Sequence, residues 1–587
     1  ILRVSSLEEA AQANRGYTGF GDVDPVHWAS GYINTATIRG IVNGKPDGTF
    51  APSETVTRFQ MVKMIVCALG YGEKVTKMGG TYPEAYLAYA VKLGLLKQIP
   101  TADETLTRGD AAQLLYDALF VIPLDANGSE LEPYAEGFGV VGKQEDPETK
   151  SGHTYYLSPE GDDHADGSET APWKSLAAAT MKLSAGDTLV LEAGEHRESE
   201  LVRFAAGGRE DAPITITARN RHLAKIIFGP EVKDAQKIYA AYGQNYIIIQ
   251  NLEITQEEIG TITNDILVDL RGDYCAVLNN KIHHCYEEPV KSHKSKGFRV
   301  IGNELYDSVH EGIDVVNVED AVFAGNHISD CGRVFIMAKG GSRNVKIYNN
   351  WIDCDKQIDI RVPSMGIGLG GSTDNTSGLG NKRGDYEAYN FVAWNNVVNC
   401  TSPGLLLSGI NFCGAKDTIA FNNVVYGAQA GIAYTNPADT KNGWGWDPEN
   451  RNVSAYNNIV MNCTEAAVRV SGRSTNMLSD YNLYYKTANA PKETHSIYSD
   501  PRFMDAAGGD FRLKEDSPAR ESGKTIVPEW VGYDGTPFYF DVKDYAGNER
   551  TGKWSMGAYV FGAISKNAVE TGSATGRLLT DYFDYTA

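Results

Sequence analysis

From about residue 153 the apolar positions come in short β-rich runs separated by polar turns, not in the broad stripes of helices. The runs NLEI, NNKI, GNEL, GNHI, NNWI, NNVV, NNVV, NNIV and YNLY place Asn251, Asn280, Asn303, Asn326, Asn350, Asn396, Asn423, Asn458 and Asn482 in one recurring register. Three consecutive gaps are 23, 23 and 24 residues, and the others fit one coil plus an insertion. A period of that length with three short strands per repeat predicts a right-handed parallel β-helix, because one coil cannot bury its apolar face alone and stacking does so. The recurring asparagines predict a ladder of side-chain amides bonded up and down the stack. Ahead of the repeats, YYLSPEGDDHADGSETAPWKSLAAATMKLSAGDTLVLEAGEHRE predicts a strand, an acidic loop, one amphipathic helix and a strand. The loop, residues 162–166, reads either as a calcium loop or as a solvated turn.

Residues 20–120 have helical periodicity instead, in two similar blocks. Each block holds a helix, a turn with a Gly-hydrophobic pair (Gly40-Ile41, Gly94-Leu95) and a Thr-Arg that opens a second helix. Thr57 and Thr107 are the expected N-caps. The fold class is therefore mainly β, with an N-terminal α-helical region at 1–124, a polar turn-rich linker at 125–152, the β-helix at 153–563 and a tail without repeats at 564–587.

Charge narrows the function classes. The net charge of −21 argues against a nucleic-acid partner, which needs a basic surface. An acidic chain that binds an acidic polymer needs local lysines, arginines or bound cations. The longest apolar runs fall short of a membrane span. The start at Ile1, without methionine or signal peptide, reads as a processed or trimmed end that leaves secretion open. Eight cysteines suggest a disulfide set, but Cys285, Cys331, Cys354 and Cys400 are spaced by 46, 23 and 46 residues. Multiples of the repeat point to small buried thiols stacked on one another, ahead of bridges or a metal site.

The same period says which charges meet. Lys291 is eleven residues past Asn280, and Asp314 eleven past Asn303; Glu288 and Glu311 are each eight past theirs. Stacked coils lie about 4.8 Å apart, so these residues become neighbours. Strand alternation turns Val290, Ser292, Ile313 and Val315 inward and Lys291, His293 and Asp314 outward, with His310 and Glu287 at the rim. Two glutamates at that spacing need a cation, a shared proton or open water. Lys291 beside Asp314 gains roughly 3 kcal/mol at about 5 Å and an effective dielectric of 20, which keeps it protonated and makes it a poor base.

Two families resemble parts of the chain. FGDV, HWA, GIVNG, PDGTF and VTR, within residues 20–58, are similar to the S-layer homology family, and the second block keeps only its core. That resemblance implies an extracellular place in a bacterial cell wall or S-layer. It also implies binding of an anionic secondary wall polysaccharide, with Arg58 and Arg108 at the motif arginine and Trp28 at the motif tryptophan; core packing is the other reading of Trp28. The run from Lys291 to Gly312-Ile313-Asp314, with the YYLSPEGDD opening, resembles family 9 pectate lyases. It implies a calcium ion at Glu287 or Glu288, Glu311 and Asp314, with His310 standing where the family has an aspartate. The family's catalytic lysine belongs to a GFKLGG-like strand. FIMAKGG offers Lys339 there, and SMGIGLGG offers Gly368 in the lysine's place.

The expected function is a wall-anchored, calcium-dependent lyase that cleaves a uronate polysaccharide by β-elimination. Lys339 would be the base, Lys291 or Arg343 would clamp a second uronate, and His293, His310 and Arg361 would line the groove. Trp444 and Trp446, in the insertion YTNPADTKNGWGWDPEN, are placed to stack on sugar rings. Two rivals stand beside it: a non-catalytic surface-layer or filament protein that self-assembles edge to edge, and a glycoside hydrolase that recruits Glu311 and Asp314.

Overall fold

The computed structural model describes residues 11–121 and 152–560 apart from short stretches within them, the longest being 355–364, 374–384 and 438–448. The linker at 125–151 and the tail lie outside the described residues. The chain divides into two units, Ile1–Thr149 and Lys150–Ala587.

The first unit is helical: α1 (Ser30–Ile38), α2 (Arg58–Ala68), α3 (Gly72–Lys77) and α4 (Glu84–Lys92). Thr57 caps α2 in a capping box with Gln60, and each side chain accepts from the other residue's backbone N–H. Val62, Ile65 and Val66 of α2, with Leu69 just past its end, share a core with Leu87 and Ala90 of α4. Thr107 lies outside the described residues.

Among the described residues the second unit is chiefly a stack of parallel strands in three sheets of 14, 11 and 10 strands, which we call sheets 1, 2 and 3. One coil visits them in turn, as in Ala276–Leu278, Lys281–Cys285 and Val290–His293. On the inner side of sheet 3 the register stacks Val268, Val290, Ile313, Ile336, Ile367, Ile410 and Ile432 into one aliphatic column. These side chains are shielded from water, and burial of such columns is the main force holding coil to coil.

The asparagine ladder runs from Asn280 through Asn303, Asn326, Asn350, Asn396, Asn423 and Asn458 to Asn482. Each side-chain oxygen accepts the backbone N–H of the asparagine one coil before it, at 2.9–3.1 Å. Each amide also donates to the next oxygen and to a backbone carbonyl, as Asn326 Nδ2 does to Asn350 Oδ1 and Val300 O. The residue ahead of each rung has a left-handed backbone, φ between 54° and 69° at Gly302, Gly325, Asn349 and Asn395. Glycine and asparagine tolerate that region, which explains the Gly-Asn and Asn-Asn pairs. One expectation is corrected. Glu253 is in register with Lys281, so Leu252, not Asn251, stands at the first rung, and its N–H donates to Asn280 Oδ1. Asn251 fills the left-handed position instead, with φ 64°.

The jumps from Asn350 to Asn396 and from Asn423 to Asn458 are single coils with insertions, since Trp351 pairs with Val397 and Val424 with Ile459. No disulfide joins cysteines among the described residues, and Cys285, Ser308 and Cys331 stack in one register. The acidic loop satisfies itself: Asp163 accepts from Ser175 and the Lys174 N–H, and Asp166 from the Ser168 N–H. α5 (Leu176–Thr180) follows, and the buried Glu198 carboxylate accepts its Leu176 and Ala177 N–H groups.

Candidate functional site

The outer side of sheet 3 carries the charges. Its strands set Asp269, Lys291, Asp314, Met337 and Gly368 in one column. His293, Val316 and Lys339 form the next outward column, two residues along each strand. The neighbours deduced from the 23-residue period are thus in register. Lys291 Nζ donates to Glu288 Oε1 and lies 3.5 Å from Asp314 Oδ2. Lys339 Nζ approaches Asp314 Oδ1 at 3.1 Å, so one carboxylate is shared by two lysines.

Burial and charge compete at every group here. Burial alone would lower the Lys291 ammonium, but Glu288 and Asp314 outweigh it and hold the group well above its ordinary value. Burial would raise Asp314, yet Lys339 and Lys291 bring it below the usual carboxylate range. Burial pushes Glu311 up, and the charge of Asp314 adds to it; burial likewise raises Glu288. His293 is driven down to about 3 by burial and by the nearby Lys291 and Arg271, so its imidazole is neutral at pH 7. Both its ring nitrogens are buried without a hydrogen-bond partner among the described residues.

Cations form the outer layer and acids the inner one. The Lys291 side chain is 12% exposed and Glu288 1%; Lys339 is 14% exposed and Asp314 4%; Arg333 is 30% exposed and Glu311 5%. Arg271 over Asp269 repeats the arrangement one coil earlier. Sequence reasoning missed Arg271 and Arg333. Arg333 donates its backbone N–H to His310 O, one coil on, and its Nη1 lies 3.4 Å from Glu311 Oε1. Counting 23 residues from His310 finds it.

The turn from sheet 2 to sheet 3 gathers a second group. Glu287, His310 and Glu311 bring one donor atom each within 4.8 Å of one another. Of the carboxylates named for calcium, Glu288 and Asp314 are held by lysine ammonium groups, and an imidazole stands where a hard ion wants oxygen. This donor set does not fit calcium.

The remaining expected residues are dispersed. Arg343 belongs to Ser342–Arg343 of sheet 1, paired with Tyr389 and 5.6 Å from its ring, so it is not on the face that carries Lys291. The column position of the motif lysine is held by Gly368, above Met337. Trp28 is 71% exposed, which excludes the core reading, and its ring is 6.2 Å from that of Tyr32. Arg58 opens α2, half-buried. Arg108, Arg361, Trp444 and Trp446 lie outside the described residues.

Comparisons with known proteins agree with this architecture. Residues 19–62 match the S-layer homology domain, and residues 231–382 match the right handed beta helix region. The middle cell wall protein of Brevibacillus brevis is 35% identical over 121 residues, 21% of this chain and 11% of that protein. The chain thus spans about a tenth of the length of that relative. The uncharacterized protein YwoF of Bacillus subtilis is 22% identical over 482 residues, 65% of this chain and 95% of that one. Among solved structures, pectate lyase Pel9A has a TM-score of 0.44 at 15% identity, covering 70% of this chain and 97% of that one. The S-layer homology domain and the cell-wall and surface-layer relatives place the chain outside the cell, at the wall or surface layer. No helix among the described residues is long and apolar enough to cross a membrane.

Proposed function

We propose that this is a wall-anchored protein that cleaves a uronate-containing polysaccharide by β-elimination on the outer face of sheet 3. The observation that carries this reading is the layering of charge. In a chain of net charge −21, each cation of the site is more exposed than the acid that holds it. A polyanion approaching that face meets lysine and arginine first, and the buried acids hold those cations in place.

Lys291, locked in its charged form, is suited to oppose the substrate carboxylate and stabilise the charge that builds on it as the neighbouring proton leaves. Lys339, in the adjacent column two residues along its strand, is the base. The C5 proton passes to its nitrogen, the C–H electron pair forms the C4–C5 double bond, and the C4–O bond breaks, its oxygen taking a proton from water to leave as a sugar hydroxyl. No step uses calcium. In the helical unit, Trp28 and Arg58 are the residues for an anionic wall polymer, a carboxylate or phosphate being suited to donors beside the N-terminus of α2.

The test is incubation with polygalacturonate, alginate and glucuronate-rich polymers, reading both the ultraviolet absorbance of unsaturated uronate and new reducing ends. Absorbance that grows with reducing ends is expected, and Lys339→Ala should lower the rate by about a hundredfold or more. Reducing ends without absorbance would assign hydrolysis by Glu311 and Asp314 instead. Neither signal with any polymer would overturn cleavage and leave a surface-layer or filament role, which Gly368 in the column favours.

A further inference from the structure

We propose that Glu287, His310 and Glu311 form a binding site for a divalent transition-metal ion of the zinc class. The backbone builds the site. Glu287 sits one coil below His310 on the turn between sheets 2 and 3, where the Glu311 N–H donates to Glu287 O at 3.0 Å and the Val309 N–H to Cys285 O at 3.0 Å. Three donors therefore converge from two successive coils, with His310 Nδ1 4.0 Å from Glu287 Oε1. The Tyr286 ring packs against the imidazole at 4.7 Å between centroids and limits its rotation.

A second observation points to a ligand. The Glu311 side chain is 5% exposed, and its Oε2 is buried without a hydrogen-bond partner among the described residues; Glu287 Oε2 is likewise buried and unpartnered. An unpartnered buried carboxylate oxygen is costly, and a cation between the two removes that cost. Arg333 serves only the other oxygen of Glu311, from 3.4 Å.

The donor types select the ion. One imidazole with two carboxylates suits zinc and its neighbours, which take nitrogen and oxygen together. Calcium prefers six to eight oxygens, and Glu288 Oε1 and both Asp314 oxygens already face lysine. Zinc bonds of about 2.0–2.1 Å need donor atoms roughly 3.4 Å apart, a little closer than the 4.0 Å between His310 Nδ1 and Glu287 Oε1. Two carboxylates balance the charge of the ion, and a fourth position stays open to water or to a ligand oxygen. The inference stands whether or not the chain cleaves a polysaccharide.

The test strips the full chain with a chelator, then titrates Zn2+ and Ca2+ separately by calorimetry and records the visible spectrum with Co2+. One Zn2+ per chain is expected, at least about tenfold tighter than Ca2+, with Co2+ bands showing imidazole ligation. His310→Ala should weaken Zn2+ by about tenfold or more, while His164→Ala, at an exposed loop histidine, should leave it unchanged. Calcium bound as tightly as zinc, no zinc bound, or zinc binding that survives His310→Ala would each overturn the site. If His310→Ala does not fold, the Zn2+ to Ca2+ ratio and the Co2+ spectrum of the unmodified chain decide alone.

Discussion

The asparagine ladder and the charged column of sheet 3 use the same geometry for different ends. Both place residues one coil apart on top of one another. In the ladder each rung is the same neutral amide, donor and acceptor at once, so Asn326 serves Asn303 below and is served by Asn350 above. In the column no residue type stands on itself in successive coils: Asp269, Lys291, Asp314, Met337 and Gly368 follow one another. A self-complementary group can be stacked without limit. Charges can be stacked only where a neighbour of opposite sign neutralises them, and that confines them to a few coils. The ladder ties each coil to the next alongside the buried aliphatic columns, whereas the charged column concentrates chemistry at one place along the solenoid.

The sharpest way to break the comparison is Lys291→Met. It leaves Glu288 and Asp314 buried without the cation they share and should cost about 3–5 kcal/mol in urea unfolding at pH 7, more than any ladder change. A charge with no stacked partner gives the next effect. Burial pushes Glu198 up to about 7 from 4.5, against the two backbone N–H groups it accepts, so the folded chain holds a proton that the unfolded chain releases. Its stability contribution is full below about pH 4.5 and falls as pH rises through 7, by up to about 3 kcal/mol. Glu198→Gln should therefore raise the melting temperature at pH 8 and change it little at pH 5. Within the ladder, Asn326→Ala removes an acceptor and two donations and should cost about 2 kcal/mol, and Asn482→Ala, at the end of the run, about half as much. The smallest effect is on the thiols. Seven of the eight are buried and burial raises those of Cys285 and Cys331, so a thiol reagent should label the folded chain only at the half-buried Cys67.

The same contrast decides what could be read from sequence. The ladder announces itself because one residue type recurs at one interval, and the interval gives the coil. From it follow the shared register of Cys285 and Cys331, though with Ser308 between them, the inward Val290 and Ile313, and the meeting of Lys291 with Asp314. The slip at Asn251 comes from the left-handed position beside the rung, which also selects asparagine, so composition alone does not separate the two. The candidate site was only half legible. Counting placed Glu288, Glu311 and Asp314 together, but which acids face lysine depends on side-chain reach, and that turned Glu288 and Asp314 into ion-pair partners and left Glu287 with His310 and Glu311. Arg333 was within reach of the same count and was missed because it stands on a turn, outside any strand pattern. Arg343 was misplaced because Gly340 and Gly341, both at positive φ, carry the chain off sheet 3 before it.

The central claim is that charges one coil apart act as one interdependent group. A double-mutant cycle on Lys291→Met and Asp314→Leu, followed by urea unfolding, measures it most directly. Removing both partners should cost at least about 2 kcal/mol less than the sum of the single losses. Losses that add to within about 0.5 kcal/mol would show that the two coils do not share these charges, and would contradict the site built on them.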